Sequence, residues 1–301
     1  GAAAMVTIDS PDFCLRVASI VKAAQPAFRT IHYVAPSVWA WRPGRAAKMA
    51  EVIDHVLALL PFEPPYMTAA GMTCDFVGHP VVSEPLASPE ERAVMVGEGP
   101  LLLALPGSRK GEVSRLCPVF GATIARLKAQ HPTLRVALPT VRGVEPLVRD
   151  LTRDWAVAPQ IITDAAQKRA AFALADVALA ASGTVSLELA ANACPMVIAY
   201  DMNPVSMWLM RRMARIDTVT LVNLVSETRV VPEFIGQACR PDLVDRLMGD
   251  RVQHGRRDPW ERPAHRPVGQ QGLRPAHHQH PRAQRPCPGG KRRLCQRLFL
   301  P

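Results

Sequence analysis

The sequence has no pairing pattern among its cysteines, no apolar run of bilayer length, no Asp-x-Asp and, over its first 250 residues, no net charge. Each absence removes a class of protein. Cys14, Cys74, Cys117, Cys194, Cys239, Cys287 and Cys295 are scattered, and no cleavable apolar leader precedes them. Reduced thiols in a cytoplasmic protein follow, and a disulfide-stapled secreted domain does not. Uncharged runs such as 177–187 fall short of the roughly 20 residues needed to cross a bilayer, so any membrane association is expected to be peripheral. Without Asp-x-Asp, and with no ligand-spaced Cys/His cluster before residue 250, no divalent-metal site for a diphosphate is expected and no cofactor is implied.

The net charge of +10 belongs to one end of the chain. Residues 251–301 hold eleven arginines and one lysine against Asp258 and Glu261, a balance of +10. The same 51 residues contain five of the nine histidines and eight of the 29 prolines, with neither helical nor strand periodicity. A basic, disordered tail is expected there. Its charge would attract any polyanion, so it gives little ground for a nucleic-acid partner. His277, His278, His280, Cys287 and Cys295 match no zinc-finger spacing.

From Met5 onward, apolar strands alternate with amphipathic helices. The first series runs MVTID, SPDFCLRVASIVKAAQ, RTIHYVAP, RAAKMAEVI, HVLALLP, FEPPYMTAAG and CDFVGHP. A parallel connection needs a crossover long enough to hold a helix, so the alternation predicts parallel sheets covered on both faces. A polar, acidic stretch, 83–99, separates this series from one that restarts with PLLLALPG. The second series continues through a helix over 112–130, LRVALPTV, a helix over 145–153, QIITD, AAQKRAAFALA, DVALAAS, TVSLELAANA, CPMVIAY and NPVSMWLMRRMAR. An irregular stretch around Asn223 and a helix in PDLVDRLMGD close it. The fold class is therefore α/β with two Rossmann-like domains, 1–85 and 86–250, followed by the tail. The first domain has only about three strand-helix units and is expected to be incomplete.

Two loops have the chemistry of a phosphate site. Pro106-Gly107-Ser108-Arg109 lies between an apolar strand and a helix. Glycine lets a ligand approach the backbone, the helix start offers free N–H groups, and a guanidinium can hold a diphosphate bidentately. The plainer alternative is a tight turn with a solvent-facing arginine. Ser182-Gly183-Thr184 follows VALAA in the same way, and Glu188, four residues after Thr184, shares its helical face. That carboxylate could accept hydrogen bonds from ribose hydroxyls. Alternatively, Ser182 or Thr184 caps the helix and Glu188 complements its dipole.

Asp9 and Asp12 stand at the carboxyl end of the first strand, where a carboxylate could take the proton of an attacking hydroxyl. Equally, Asp9 or Ser10 could cap the helix starting at Pro11. Trp39 and Trp41 could contact acyl chains or brace a cleft, while Arg42, Arg45 and Lys48 form either a basic stripe or a solvated helix face. His79 ends another strand and has a plain reading as a linker residue.

HYVAPSVWAWR, LPFE at 60–63, GHP, LALPGSRKGEV, ASGTVSLE, CPMVIAY and LVNL occur in the order found in lipid-A-disaccharide synthases, which residues 5–250 closely resemble. The resemblance implies a GT-B architecture in which the second domain binds a UDP-sugar and the first receives a lipid acceptor. It further implies an inverting glycosyltransferase that joins UDP-2,3-diacylglucosamine to 2,3-diacylglucosamine 1-phosphate and releases UDP without a metal. By the same likeness Asp9 is the candidate base and Arg109 the essential arginine. Gly107, Ser108, Ser182, Gly183, Thr184, Glu188 and Asn223 fall at donor-site positions. The implied setting is the cytoplasmic face of the inner membrane, with a homodimer as one assembly.

Two departures accompany the likeness. The family's first strand and its Gly-Glu-x-Ser-Gly-Asp loop are not found before Gly1, and the 251–301 stretch replaces ordinary amphipathic helices. The acceptor side is therefore expected to be incomplete and synthesis by this chain doubtful. The competing expectations are a UDP-sugar-binding remnant and another UDP-N-acetylglucosamine transferase or epimerase of the same fold.

Overall fold

The computed structural model describes residues 2–254. They divide into two compact units, 2–82 with Leu209–Asp217, and Ser83–Trp208 with 218–254.

In the first unit, β1 (Ala4–Ile8), α1 (Pro11–Ala24), β2 (Arg29–Tyr33), α2 (Gly44–Ala50), β3 (His55–Ala58), α3 (Pro64–Thr68) and β4 (Thr73–Phe76) follow one another. The four strands form a parallel sheet in the order β1-β2-β3-β4, with Ile8 opposite Tyr33 and Ala58 opposite Phe76. Ala18, Met49, Ile53, Val56 and Met67 form its core. β1 lies at the edge. Thr7 points into the unit, while Val6 (58% exposed) and Ile8 (65%) stand on the opposite face of the same strand, as the period of two demands.

The second unit begins with α4 (Pro89–Ala93), β5 (Leu101–Leu105), α5 (Lys110–Gln130), β6 (Arg135–Pro139), α6 (Glu145–Leu151) and β7 (Gln160–Ile162). It continues with α7 (Ala165–Leu174), β8 (Val177–Ala180), α8 (Val185–Ala191) and β9 (Met196–Tyr200). α9 (Pro204–Met213) begins in this unit, its residues from Leu209 onward belonging to the first, and α10 (Leu221–Ser226), β10 (Glu233–Ile235) and α11 (Pro241–His254) complete the second. Its six-stranded parallel sheet has the order β10-β9-β8-β5-β6-β7. All five residues of β5 are buried, which is why that strand is a continuous apolar run without alternation. Leu116, Phe120, Ile124 and Leu127 of α5 pack in one core with Val244 and Met248 of α11.

Local chemistry sets several of these boundaries. Ser88 closes a capping box on α4: its hydroxyl accepts from the Glu91 N–H while the Glu91 carboxylate accepts from the Ser88 N–H. Asp164 caps α7 by accepting from the Gln167 N–H at 2.9 Å.

The α/β class with two Rossmann-like units is the one expected from sequence. Three local expectations are corrected. The stretch around Asn223 is not irregular: it holds the short helix α10, and β10 follows. α11 runs four residues past Asp250 and buries Val252 in the second unit's core, so the change of composition at 251 is not the end of ordered structure. From residue 255 onward the expected tail lies outside the described residues. Finally, neither Asp9 nor Ser10 caps α1 through its side chain. Both adopt left-handed backbone, with φ of 48° and 41°, unlike the extended geometry that lets a capping side chain reach back.

Candidate functional site

β5 pairs with β8, Leu105 lying opposite Ala180. Their carboxyl ends are therefore neighbours, and the Ala181 N–H donates to the Leu105 carbonyl at 2.8 Å. This is where the strand order reverses, the position at which open α/β sheets bind ligands. The two loops singled out from sequence leave the sheet side by side here, although their glycines, Gly107 and Gly183, are 76 residues apart in the chain.

In the first loop Gly107 has φ +109°, and a Cβ there would lie 2.5 Å from Glu112 Oε2. Only glycine fits that turn. The Glu112 carboxylate, in the first turn of α5, accepts from the Ser108 N–H at 3.3 Å and from the Arg109 guanidinium at 3.0 Å. Arg109 itself is 81% exposed along its side chain, so its guanidinium is open to solvent. Tyr200, at the end of β9, lies within the electrostatic reach of this pair. Burial raises its phenol and the Glu112 carboxylate adds to that, against the opposing pull of Arg109.

In the second loop Gly183 has φ +128°. The Ser182 hydroxyl donates to the Val219 carbonyl at 2.9 Å and the Ser186 hydroxyl to the Gly183 carbonyl at 2.8 Å. Thr184 is exposed at the start of α8, and neither it nor Ser182 makes a side-chain cap. The capping alternative fails. Glu188 is paired with Lys168 of α7 at 2.6 Å, and its carboxylate oxygens have lone pairs left to accept further hydrogen bonds.

Asn223 is placed differently from its neighbours. It is fully buried, its amide nitrogen donating to the Val231 carbonyl at 2.9 Å and to Thr218 Oγ1 at 3.2 Å, and its oxygen accepting from the Val231 N–H at 3.0 Å. The amide is occupied with tying together the stretches before and after α10.

In the first unit, Asp9 is exposed at the tip of β1, its N–H donating to the Tyr33 carbonyl at 3.0 Å. Beside it His32 is buried, with Nδ1 2.7 Å from Thr7 Oγ1 and Nε2 without a partner among the described residues. Burial lowers the His32 pKa, and the Asp9 charge acts in the opposite direction. Asp12 is ion-paired with Arg45, and Arg42 stacks over Trp41 with 4.0 Å to the ring centroid, so the basic stripe is already partly engaged. Trp39 is buried and donates to Glu63 Oε1 at 3.1 Å, which removes it from any role on an exposed surface. His79 Nδ1 accepts from the Val81 N–H at 3.2 Å. Among the described residues, no group of His, Cys, Asp and Glu side chains could hold a metal ion.

Sequence reasoning missed three carboxylates. Glu112 was within reach of a periodicity argument, since it follows Arg109 by three residues on one helix. Glu63 and Glu233 were not, because their partners are distant in sequence or are backbone groups.

A family profile described as lipid-A-disaccharide synthetase matches residues 2–271. The chain belongs to this family. It is 60% identical over 253 residues to the lipid-A-disaccharide synthase of Ruegeria pomeroyi, covering 80% of this chain and 63% of that protein. To the lipid-A-disaccharide synthase of Rhodospirillum centenum it is 47% identical over 256 residues, covering 82% of this chain and 64% of that protein. The chain thus spans somewhat under two thirds of the length of these relatives. Among solved structures, a putative UDP-N-acetylglucosamine 2-epimerase from Listeria monocytogenes aligns with a TM-score of 0.57 at 12% identity, over 83% of this chain and 65% of that one. The UDP-GlcNAc 2-epimerase from Neisseria meningitidis, solved bound to UDP-GlcNAc, gives 0.56 at 11% over 85% and 72%. These two likenesses show the fold.

Proposed function

We propose that this member of the lipid-A-disaccharide synthase family supplies the UDP-sugar side of an inverting glycosyl transfer. The donor is UDP-2,3-diacylglucosamine and the acceptor 2,3-diacylglucosamine 1-phosphate. The observation that carries the reading is the pairing of β5 with β8, which sets the 106–109 and 182–184 loops side by side at the switch point of the sheet. Two positive-φ glycines open the backbone there, and the exposed Arg109 guanidinium supplies charge. In this reading 86–250 is the donor domain and 1–85 belongs to the acceptor domain.

Arg109 and the backbone N–H groups at the start of α5 compensate the charge that develops on the departing UDP. Gly107, Ser108, Gly183 and Thr184 line the diphosphate, and Glu188 accepts from the ribose. Ser182 and Asn223 act from behind, fixing the loop. Asp9 takes the proton from the acceptor's 6-hydroxyl as that oxygen attacks the anomeric carbon. Its strained backbone supports the assignment, because non-glycine residues at positive φ concentrate where function dictates geometry. The acylated substrates imply work at the cytoplasmic surface of the inner membrane, reached peripherally, since among the described residues no helix is long and apolar enough to cross it. A homodimer completes the proposal.

The reading is tested by titrating UDP calorimetrically into the purified chain and into Arg109→Ala. Saturable binding weakened by the substitution is expected. Absence of saturable UDP binding by the unaltered chain would remove the donor assignment.

A further inference from the structure

Behind the 182–184 loop lies a polar cluster that no step of the transfer uses directly. Glu233, the first residue of β10, turns its carboxylate toward the stretch before α10. Its Oε1 accepts from the Thr218 hydroxyl at 2.5 Å, the Val219 N–H at 3.1 Å, the Thr220 N–H at 2.8 Å and the Asn223 amide at 3.5 Å. Thr218, Thr220 and Asn223 are buried. Residues 218–220 belong to no strand or helix, so no sheet ladder meets the N–H groups of Val219 and Thr220. A backbone donor left unmet away from water is costly, and one carboxylate here meets two such groups.

The stretch held in this way is the one that anchors the donor loop. The Val219 carbonyl accepts from Ser182 Oγ at 2.9 Å. A continuous line of hydrogen bonds therefore runs from Glu233, through the Val219 peptide groups, to the residue immediately before Gly183. Asn223 joins the line from the side, bonding both Thr218 and Val231. The Thr220 hydroxyl is buried beside the cluster without a partner among the described residues, a polar group whose cost is borne where the backbone around it is fixed.

We propose that Glu233 is a positioning residue of the donor site, acting through Val219 on Ser182 to hold the 182–184 loop in the conformation that receives UDP. The proposal rests on the donor reading above. Glu233 touches no substrate in it. Its carboxylate sets where the Val219 carbonyl points, and that carbonyl selects the Ser182 rotamer and the path of the chain into α8. Without it the loop samples other arrangements, and the nucleotide binds only the fraction that remains competent.

The test is a double-mutant cycle on the full chain, with UDP as the calorimetric probe: unaltered protein, Glu233→Gln, Ser182→Ala and the two combined. Glutamine keeps the size of the side chain and one acceptor oxygen. Each single substitution is expected to weaken UDP binding by about tenfold, and the pair by no more than the stronger single change, because both break the same line. A change that merely lowered the stability of the second unit would not produce that coupling. The proposal is overturned if Glu233→Gln leaves UDP affinity within about twofold, or if the two losses multiply as independent sites do. Should Glu233→Gln fail to fold, Ser182→Ala alone decides, since unchanged UDP affinity there shows that the line does not control the loop. If the unaltered chain shows no saturable binding, the donor reading fails as well; if it binds and the variants match it, only the role of Glu233 is lost.

Discussion

Replacing Glu63 by glutamine is expected to reverse sign in its effect on stability between pH 4.5 and pH 8. Glu63 is only 3% exposed, yet its carboxylate sits among the Leu60 N–H at 2.9 Å, the Trp39 indole N–H at 3.1 Å and the Leu59 N–H at 3.1 Å. Burial raises its pKa from 4.5 to about 7, and the three hydrogen bonds, which favour the charged form, do not cancel that. The folded value lies above the unfolded one. The stabilisation is therefore complete below about pH 4.5 and is lost as the pH rises through about 7. At about 1.36 kcal/mol per pH unit, the loss approaches about 3 kcal/mol by pH 8. Glutamine escapes the loss because it has no charge. It presents an amide donor to the Trp39 N–H, however, and so gives up one buried hydrogen bond, about 1 kcal/mol. Urea unfolding of both proteins from pH 4.5 to pH 8 should show the variant less stable by about 1 kcal/mol at the acidic end and more stable by about 2 kcal/mol at the other. Taking the difference between the two proteins removes every other titrating group. A difference that stays flat across this range would refute the reasoning, because the carboxyl would then titrate at its ordinary value in the folded chain.

Three further outcomes follow from the same geometry. Arg109→Ala should leave the unfolding midpoint nearly unchanged, since the side chain is exposed and, among the described residues, bonds only Glu112. On the proposed reading, glycosyl transfer by a version restored to the length of its relatives should nevertheless fall by about 10²–10³ in a steady-state assay, through lost charge compensation on the departing diphosphate. Ser88→Ala should cost about 1 kcal/mol in a thermal melt by opening the capping box of α4. Val6→Lys, on the exposed face of the edge strand β1, should raise the concentration at which the protein aggregates, with unfolding free energy within about 0.5 kcal/mol of the parent.

Much of the second unit was legible because its central strands are buried on both sides. β5, β8 and β9 are apolar runs bounded by glycine, proline or polar residues, and the long α5 has clear helical periodicity. β10 has three residues and opens with a glutamate, so nothing in its composition distinguishes it from a loop. α10 was hidden for a related reason: with six residues it completes less than two turns. The site divided in the same way. Gly107 and Gly183 mark turns that need positive φ, and such positions are visible in sequence because only glycine takes them freely. The left-handed backbone of Asp9 and Ser10 was not visible, since neither residue type demands it, and the proline that follows pointed to an ordinary cap. Trp39 resembled a surface aromatic until its partner Glu63, 24 residues away, placed it in the interior. Glu233 lies fourteen residues from Val219 and bonds its backbone, which leaves no residue type on the other side for a pattern to detect.

The adjacency of β5 and β8 also governs which parts of the second unit are free to change. β6, α6, β7 and α7 lie between these strands in sequence, but β6 and β7 extend the sheet outward on the far flank of β5. An insertion or deletion in the connections among them changes the length of chain between the two glycine loops without altering the span that separates them. That flank can be remodelled in descendants of this sequence while the site keeps its dimensions, whereas one residue added between Leu105 and Gly107, or between Ala180 and Gly183, would displace a loop that nothing downstream can restore.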